Sequence, residues 1–226
     1  MSLQLDERAT AKPDVTDYSD HEPSAKRPTL HHYGLITADL DTMVDWYTKL
    51  LGARVNLKLG PERDEIQGPP RIVFLGNDVA HHRLTMVELA GTQRNRAERL
   101  KYVRTQHSAW EYASIADLLE TYERLRGLGV EPYVCGHHGT HVYFFYLDPD
   151  ENWVELLADG FGDPEKSLEY FRTSEEIRIN NIGAFLDPAK MLAAWKEGRL
   201  SEEELSQRAF AGEWAPENPP DLRILV

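Results

Sequence analysis

Histidines and a buried-type carboxylate are concentrated in residues 136–159, GHHGTHVYFFYLDPDENWVELLAD. His137, His138 and His141 precede an aromatic run, and Glu155 lies inside the apolar stretch WVELL. The intervening DPDEN predicts a turn, because proline fixes φ and Asp and Asn tolerate turn geometry. A carboxylate within an apolar strand is costly unless a partner compensates its charge, and a metal ion is one such partner. The alternative is a solvent-facing glutamate on an edge strand.

The elements that must position these side chains form a repeat. Helical and alternating apolar spacings predict the order strand, helix, three strands twice, over 29–89 and 107–158. Gly52 and Gly127 would end the two helices. Each unit has one sheet with one apolar face, so pairing the units would bury both faces. We therefore predict an α+β fold in which two curved sheets meet around a cleft.

Two flanking segments complete the domain organisation. Residues 1–28 are polar and lack periodicity, which predicts a flexible N-terminal tail. Residues 160–226 contain two helical patterns, at 188–197 and 201–211, and a proline-rich end. We expect a domain over 29–159 and a helical C-terminal extension that packs on it or on a partner subunit.

Composition excludes several classes of function. The formal net charge of −13 argues against nucleic acid or an anionic membrane surface as the partner. A single cysteine, Cys135, rules out an intrachain disulfide framework and fits a reducing compartment. No apolar run approaches the roughly 20 residues of a membrane span, and the first residues lack the pattern of a signal peptide. We expect a cytoplasmic protein with a small-molecule partner.

Three potential metal ligands occupy matching places in the repeat. His32 lies in the first strand of the first unit, His107 opens the equivalent strand of the second, and Glu155 lies in the last strand. Two imidazoles and one carboxylate with open positions form the facial triad that suits non-haem Fe(II). Such a site can hold a bidentate substrate and O₂ together. A lone strand histidine is more often structural, and it is the matched placement that favours the metal site.

Several segments resemble the vicinal oxygen chelate superfamily. LHHYGLITADLDTMVDWYTKLLGARV is similar to its opening, and DPDENWVEL is similar to its closing strand. AHHRLTM, HSAWEYASIADLLETYERLRGLGV and NNIGAFLDP resemble type I extradiol dioxygenases and the single-domain proteins related to biphenyl-2,3-diol dioxygenases. The resemblance covers about 29–197. It implies paired βαβββ modules and an enzyme that cleaves a catechol-like aromatic substrate with O₂.

The resemblance also implies the metal ligands. His32, His107 and Glu155 match them, with Fe(II) as the metal and Mn(II) as an alternative that favours similar ligands. His32 is chosen over the adjacent His31 because it lies seven residues before Asp39, as in the family motif. Strand alternation allows only one of the two neighbours to enter the cleft.

Catalytic roles follow from the same resemblance. His82 matches a histidine that lines the dioxygen side, and His138 matches the histidine that acts as acid/base and stabilises bound superoxide. Histidine suits proton transfer because its pKa lies near neutral. Tyr146 matches the tyrosine that hydrogen-bonds the substrate oxygen. His137 or His141 could take the place of His138.

The chain departs from the family pattern in its closing turn. It has one residue fewer between Tyr146 and Pro149 than the pattern, which leaves Tyr143 as the substitute tyrosine. Glu151 stands where the family has glycine. The second, metal-free copy of the domain found in most extradiol enzymes is absent from this sequence. Aromatic side chains could line the substrate pocket, although alternation places at least half of them in the core; the candidate substrate contacts are Trp110, Tyr143 and His141.

Two other functions remain open at this point. Glu88 occupies the place of a fourth ligand in glyoxalase I, and with it the site would suit Ni²⁺ or Zn²⁺ and isomerase chemistry without O₂. A binding protein of the bleomycin-resistance kind is the third possibility, although such proteins have lost the metal ligands. We also expect a homo-oligomer, with the apolar segment 182–195 as a candidate interface.

Overall fold

The computed structural model describes residues 28–61, 70–99, 101–180 and 183–220 of the 226-residue chain. The chain divides into two units at residues 31 and 32. In the first unit, residues 28–31 are exposed and have no regular structure. The second unit, 32–226, contains all the helices and strands that the structure describes. The predicted tail lies outside the described residues except for Pro28.

The first βαβββ module follows the predicted order. Its elements are β1 (Tyr33–Thr37), α1 (Leu40–Leu51), β2 (Arg54–Leu59), β3 (Arg71–Gly76) and β4 (Leu84–Glu88). Asp39 caps α1 by accepting a hydrogen bond from the Thr42 N–H, and Gly52 ends it with a left-handed φ of 61°. The strands form a sheet in the order β1-β4-β3-β2, with β1 parallel to β4.

The second module repeats this arrangement after a short helix, α2 (Arg96–Arg99). Its elements are β5 (His107–Tyr112), α3 (Ile115–Gly127), β6 (Val134–His137), β7 (His141–Leu147) and β8 (Trp153–Asp159). Ser114 caps α3 by accepting from the Asp117 N–H. Strand β5 runs parallel to β8, as β1 does to β4. The α+β fold of paired modules is therefore confirmed.

One apolar cluster joins the two modules. It contains the buried faces of α1 and α3 and the helix-facing residues of both sheets, including Leu35, Met43, Leu50, Met86, Leu118, Phe144 and Leu156. Burial of such side chains contributes roughly 1.5–3 kcal/mol each. A buried hydrogen bond from the Tyr47 hydroxyl in α1 to Asp148, 3.0 Å long, also links the first module to the β7–β8 turn.

The C-terminal extension adds α4 (Pro164–Thr173), α5 (Glu175–Ile179), β9 (Ala184–Phe185), α6 (Pro188–Lys196) and α7 (Glu202–Phe210). The sequence predicted α6 and α7, whose side chains Met191, Leu192, Leu205 and Ala209 join the core cluster. It did not predict α4, α5 or β9, because the two helices bury no residue and the strand is only two residues long. Within the described residues, no helix has the length and apolar character needed to cross a lipid bilayer.

Candidate active site

The carboxylate of Glu155 lies on the face of the second sheet that is turned away from α3. Its neighbours Val154 and Leu156 point the other way and join the helix-covered core. Glu155 is only 5% exposed. A buried carboxylate requires compensation by hydrogen bonds, cations or a metal ion. The solvent-facing alternative for this residue is therefore wrong.

Two histidines converge on this carboxylate from the strands on either side of β8. His107 opens β5, and its Nε2 lies 3.1 Å from Glu155 Oε2. His141 opens β7, and its Nε2 lies 3.5 Å from Glu155 Oε1. Imidazole and carboxylate donors together suit Fe(II) and Mn(II). Each ring approaches a different oxygen of the carboxylate, and both donor types are ones that a divalent transition metal binds.

A third histidine of the second sheet, His138, lies at the tip of the β6–β7 hairpin. The backbone N–H of His138 donates to the backbone carbonyl of His141, 3.0 Å away, so the turn consists of the two residues between them. The rings of His138 and His141 stack with centroids 5.4 Å apart. Burial lowers the pKa of His138, the nearby His141 lowers it further, and the Glu155 carboxylate opposes this shift. A neutral His138 beside the carboxylate can accept a proton.

Aromatic side chains form the wall next to these histidines. The Tyr143 ring lies 4.5 Å from the His138 ring, and the Phe145 ring meets the His107 ring edge-on at 5.2 Å. Tyr143 also lies over Gly136, where any Cβ would collide with its hydroxyl. Burial raises the pKa of Tyr143, so its hydroxyl stays protonated and can donate a hydrogen bond.

Two of the predicted site residues lie on the opposite face of the second sheet. Tyr146 is fully buried against the helix-covered core, and its hydroxyl has no hydrogen-bond partner among the described residues. Trp110 packs against the same core, with its indole N–H likewise unpartnered in the described part of the chain. Successive side chains of a strand point to opposite faces of the sheet. Tyr146 is an odd number of residues from Tyr143 and Phe145, and Trp110 is an odd number from His107. Both therefore point to the other face. The structure does not bring Tyr146 or Trp110 to Glu155.

His32 and His82 lie on the first sheet. Their ring centroids are 4.6 Å apart, and His82 also meets Phe74 edge-on at 5.0 Å. The Nδ1 atoms of His82 and His81 are 2.6 Å apart. The structure therefore brings His32 and His82 together, and it brings His107 and Glu155 together on the other sheet. That His32, His107 and Glu155 bind one metal, with His82 lining the dioxygen side, stays a prediction.

His137, the other alternative to His138, points away from Glu155. Its Nε2 lies 2.8 Å from the Ser206 hydroxyl in α7, and its Nδ1 accepts from the Gly139 N–H. Burial is the main cause that lowers the pKa of His137, to about 3. This ring contacts the C-terminal extension, so the structure leaves His138 and His141 as the candidates for acid/base chemistry.

Residues 29–156 match the family model described as the Glyoxalase/Bleomycin resistance protein/Dioxygenase superfamily. The chain belongs to this superfamily. The matched region begins before β1 and ends within β8, so it covers nearly all of the two modules.

Two relatives of this superfamily member are dioxygenases of Rhodococcus globerulus. Biphenyl-2,3-diol 1,2-dioxygenase 3 is 35% identical over 187 residues, 81% of this chain and 90% of that protein. Biphenyl-2,3-diol 1,2-dioxygenase 2 is 29% identical over 195 residues, 86% of this chain and 93% of that protein. Among solved structures, a glyoxylase/bleomycin resistance protein/dioxygenase domain from Frankia sp. EAN1pec aligns with a TM-score of 0.49 and 16% identity. That alignment covers 59% of this chain and 99% of the Frankia chain.

In this superfamily member, Glu88 is the residue that a glyoxalase-type site would use as its fourth metal ligand. Its carboxylate is instead hydrogen-bonded to groups of α1 and β3. Its carboxylate accepts from the Leu40 N–H at 2.7 Å, at the start of α1. It also pairs with Arg71 at 3.2 Å. Arg71 in turn binds Asp41. These contacts turn Glu88 toward α1, on the helix-covered side of the first sheet, and the structure does not bring it to Glu155.

Sequence reasoning named Phe145 only as one of several possible wall residues, and it missed Trp153. Phe145 is the register partner of Glu155, and Trp153 lies two residues before it on the same strand face. Both belong to the small apolar cluster on that face, together with Tyr143 and Val134. The alternation around Glu155 in WVELL was the signal that could have identified Trp153.

Proposed function

We propose that this protein is a non-haem Fe(II)-dependent, extradiol-type dioxygenase that cleaves a catechol-like aromatic substrate with O₂. The observation that carries the proposal is the buried Glu155 carboxylate flanked by His107 and His141. The similarity to two proteins named biphenyl-2,3-diol 1,2-dioxygenase supports the reaction class. Their names also suggest a vicinal aromatic diol as the substrate.

The metal would be held by His107 and Glu155, with His32 as the third ligand that the family pattern favours. When bound, Fe(II) would supply open positions for the two adjacent oxygens of a diol and for O₂. Mn(II) is the alternative with the same ligands. His141 lies close enough to Glu155 to be either a competing third ligand or a contact to the substrate.

The remaining side chains of this face have roles that follow from their chemistry. His138, whose pKa is lowered by burial, accepts a proton from a substrate hydroxyl. Tyr143 keeps its proton and donates a hydrogen bond to a substrate oxygen. Phe145 and Trp153 give the ring an apolar wall and exclude water from the diol. His82 is proposed to line the dioxygen side from the first sheet.

Isomerase chemistry through Glu88 is not part of this proposal, because that carboxylate is engaged with α1 and Arg71. We further propose a cytoplasmic homo-oligomer that binds neither nucleic acid nor membranes. The net charge of −13 supports the absence of polyanionic partners.

The proposal is tested by metal content and O₂ uptake. Protein purified without oxygen should contain about one iron per chain, and catechol or 2,3-dihydroxybiphenyl should then consume O₂ in equal amount. The product should gain the mass of both oxygen atoms, as a dioxygenase requires. His107→Ala should abolish iron binding and O₂ uptake together. Iron-loaded protein that consumes no O₂ with any vicinal diol would refute the dioxygenase.

A matched pair of variants identifies the third ligand. His32→Ala should remove the metal, whereas His141→Ala should retain it and reduce turnover. The reverse result would move the third ligand to the second sheet and leave His32 and His82 outside the metal site. Lys58→Ala, on the exposed strand β2 of the same sheet, serves as the control for general damage to the first sheet.

A further inference from the structure

The β6–β7 hairpin has two chemically different faces. His138 and His141 lie on the face that carries Glu155, as their stacked rings and the His141–Glu155 distance show. The ring of His137 lies on the other face and is buried, with 1% exposure. The hairpin therefore carries the candidate acid/base histidines on the face of Glu155 and His137 on the opposite face.

His137 connects the hairpin to the C-terminal extension. Its Nδ1 accepts a hydrogen bond from the Gly139 N–H, so in the neutral ring Nε2 carries the proton. Nε2 then donates to the Ser206 hydroxyl of α7, 2.8 Å away. The Phe210 ring of the same helix lies 5.3 Å from the imidazole. One ring thus bridges the turn of the hairpin and α7.

The main chain of the extension also contacts the hairpin. Strand β9 pairs antiparallel with β6, with Gly136 opposite Phe185 and His137 opposite Ala184. A Cβ at Gly183 would overlap the carbonyl oxygen of His137. These contacts cover the edge of β6 next to the turn that carries His138 and His141, so the extension holds the hairpin along that edge.

We propose that the C-terminal extension is a positioning device for the proton-transfer histidines, and that His137 and Ser206 are positioning residues. This inference rests on the proposed function for its effect on turnover. Neither residue touches the Glu155 carboxylate in the contacts above; they act through the backbone of the hairpin. A displacement of about 1 Å at a catalytic group can lower the rate by about a hundredfold. A loss of roughly tenfold in kcat is therefore expected when one hydrogen bond of the device is removed.

Four variants isolate the hydrogen bond to Ser206. Ser206→Ala removes the acceptor, and His137→Asn keeps an acceptor for Gly139 but cannot reach α7. Both should lower kcat about tenfold while iron content and the KM for the diol stay at wild-type values. His137→Gln places a donor near the Nε2 position and should restore kcat to within about twofold. Gln207→Ala, an exposed neighbour in α7, is the control and should match the wild type.

Three kinetic outcomes would overturn the inference. The first is wild-type kcat in Ser206→Ala and His137→Asn. The second is a loss of iron in parallel with kcat, since that would mean general damage to the metal site. The third is an equal fall in His137→Gln and His137→Asn, since the bond to α7 would then not be the determinant.

A measurement without turnover separates this inference from the proposed function. Full-length, metal-free protein with ¹⁵N-labelled histidines should show shifted ring signals of His138 and His141 in Ser206→Ala, with His81 unchanged. Unmoved signals of the hairpin histidines would overturn the inference. Moved signals in a protein that consumes no O₂ would retain the positioning role and refute the dioxygenase instead.

Discussion

The two sheets are copies of one scaffold with different chemistry on the face away from the helices. In the second sheet Glu155 lies opposite Ala109, two residues after His107. In the first sheet the equivalent position is Thr85, opposite Gly34, which follows His32 by two residues. The same backbone register therefore presents a carboxylate in one copy and a hydroxyl in the other. Among the described residues of the two sheets, the buried carboxylate is that of Glu155 in the second copy.

The side chains around Glu155 are also more buried than those on the corresponding face of the first sheet. On the second sheet, Tyr143, Phe145 and Trp153 are buried beside the histidines. On the first sheet, Ile36 is 62% exposed and Leu57 is 50% exposed. A carboxylate interacts more strongly with a metal or an imidazole where water is excluded. In the described residues, the second module thus has both the buried charge and the more water-excluded face, whereas His32 and His82 lie on a more exposed face of the first.

The largest expected effect contrasts the carboxylates of the two modules. Glu155→Gln should reduce iron content to near zero and lower O₂ uptake by more than about a thousandfold, because the anionic ligand is lost. Glu88→Gln should retain iron and activity, because Glu88 caps α1 and pairs with Arg71. Metal analysis and O₂ uptake on both variants make the measurement.

The opposite pattern would break the comparison between the sheets. If Glu88→Gln lost the metal and Glu155→Gln kept it, the first module would hold the site and the glyoxalase-type arrangement would return. Glu88→Gln should still lower stability by roughly 1–3 kcal/mol, since the Leu40 N–H loses a charged acceptor. Chemical denaturation therefore checks that Glu88→Gln has weakened the contact between this side chain and α1.

A second contrast separates the two faces of strand β7. Tyr143→Phe should lower kcat by about tenfold to a hundredfold, because a hydrogen bond to a charged oxygen contributes roughly 1.5–3 kcal/mol. Tyr146→Phe should leave kcat unchanged and should not destabilise the protein, because the buried hydroxyl it removes has no partner in the described structure. Steady-state kinetics and thermal unfolding are measured on both. A loss of kcat confined to Tyr146→Phe would restore the tyrosine that the family pattern suggests.

The element order could be predicted because its signals are local. Asp39 and Ser114 cap the two helices in the structure, and the strand–helix–three-strand order came from periodicity within each segment. The sequence holds no local signal for the face on which a β7 side chain lies, because that face depends on the register of β7 against β8. That register pairs Phe145 with Glu155, and it decides between Tyr143 and Tyr146.

The ligand group could be predicted only in part for a similar reason. The sequence places His107 and Glu155 in the first and last strands of one repeat, and the structure shows that these two strands pair side by side. The position of His141 beside Glu155 depends on a two-residue hairpin, and the role of His137 depends on α7, far along the chain. Contacts between distant elements leave little trace in local periodicity.

The buried His137 should make the folded protein less stable at acidic pH, because histidine binds a proton more readily in the unfolded chain. Its pKa is about 3 in the folded protein and 6.5 in its ordinary state. The unfolded state therefore binds more protons between these values, and stability falls as the pH drops below 6.5. The slope from this one group reaches at most about 1.4 kcal/mol per pH unit. Other groups titrate in the same range, so the difference between wild type and His137→Gln is the quantity to measure by denaturation at several pH values. Parallel stability curves for the two proteins would contradict a buried neutral His137.

The smallest expected effect concerns the hydrogen bond that joins the modules. Tyr47 in α1 donates to Asp148 in the β7–β8 turn, and Asp148 also accepts from the backbone N–H and the side-chain amide of Asn152. Tyr47→Phe should therefore cost only about 1 kcal/mol, because the remaining donors still satisfy the carboxylate. Tyr170→Phe, which removes an exposed hydroxyl bond to Glu176, should cost less and is the matched control. If Tyr47→Phe also lowered kcat, the turn that begins β8 would depend on α1, and the first module would help to position Glu155 itself. Wild-type kcat would confine the contribution of α1 to stability and would leave Glu155 positioned by the second module alone.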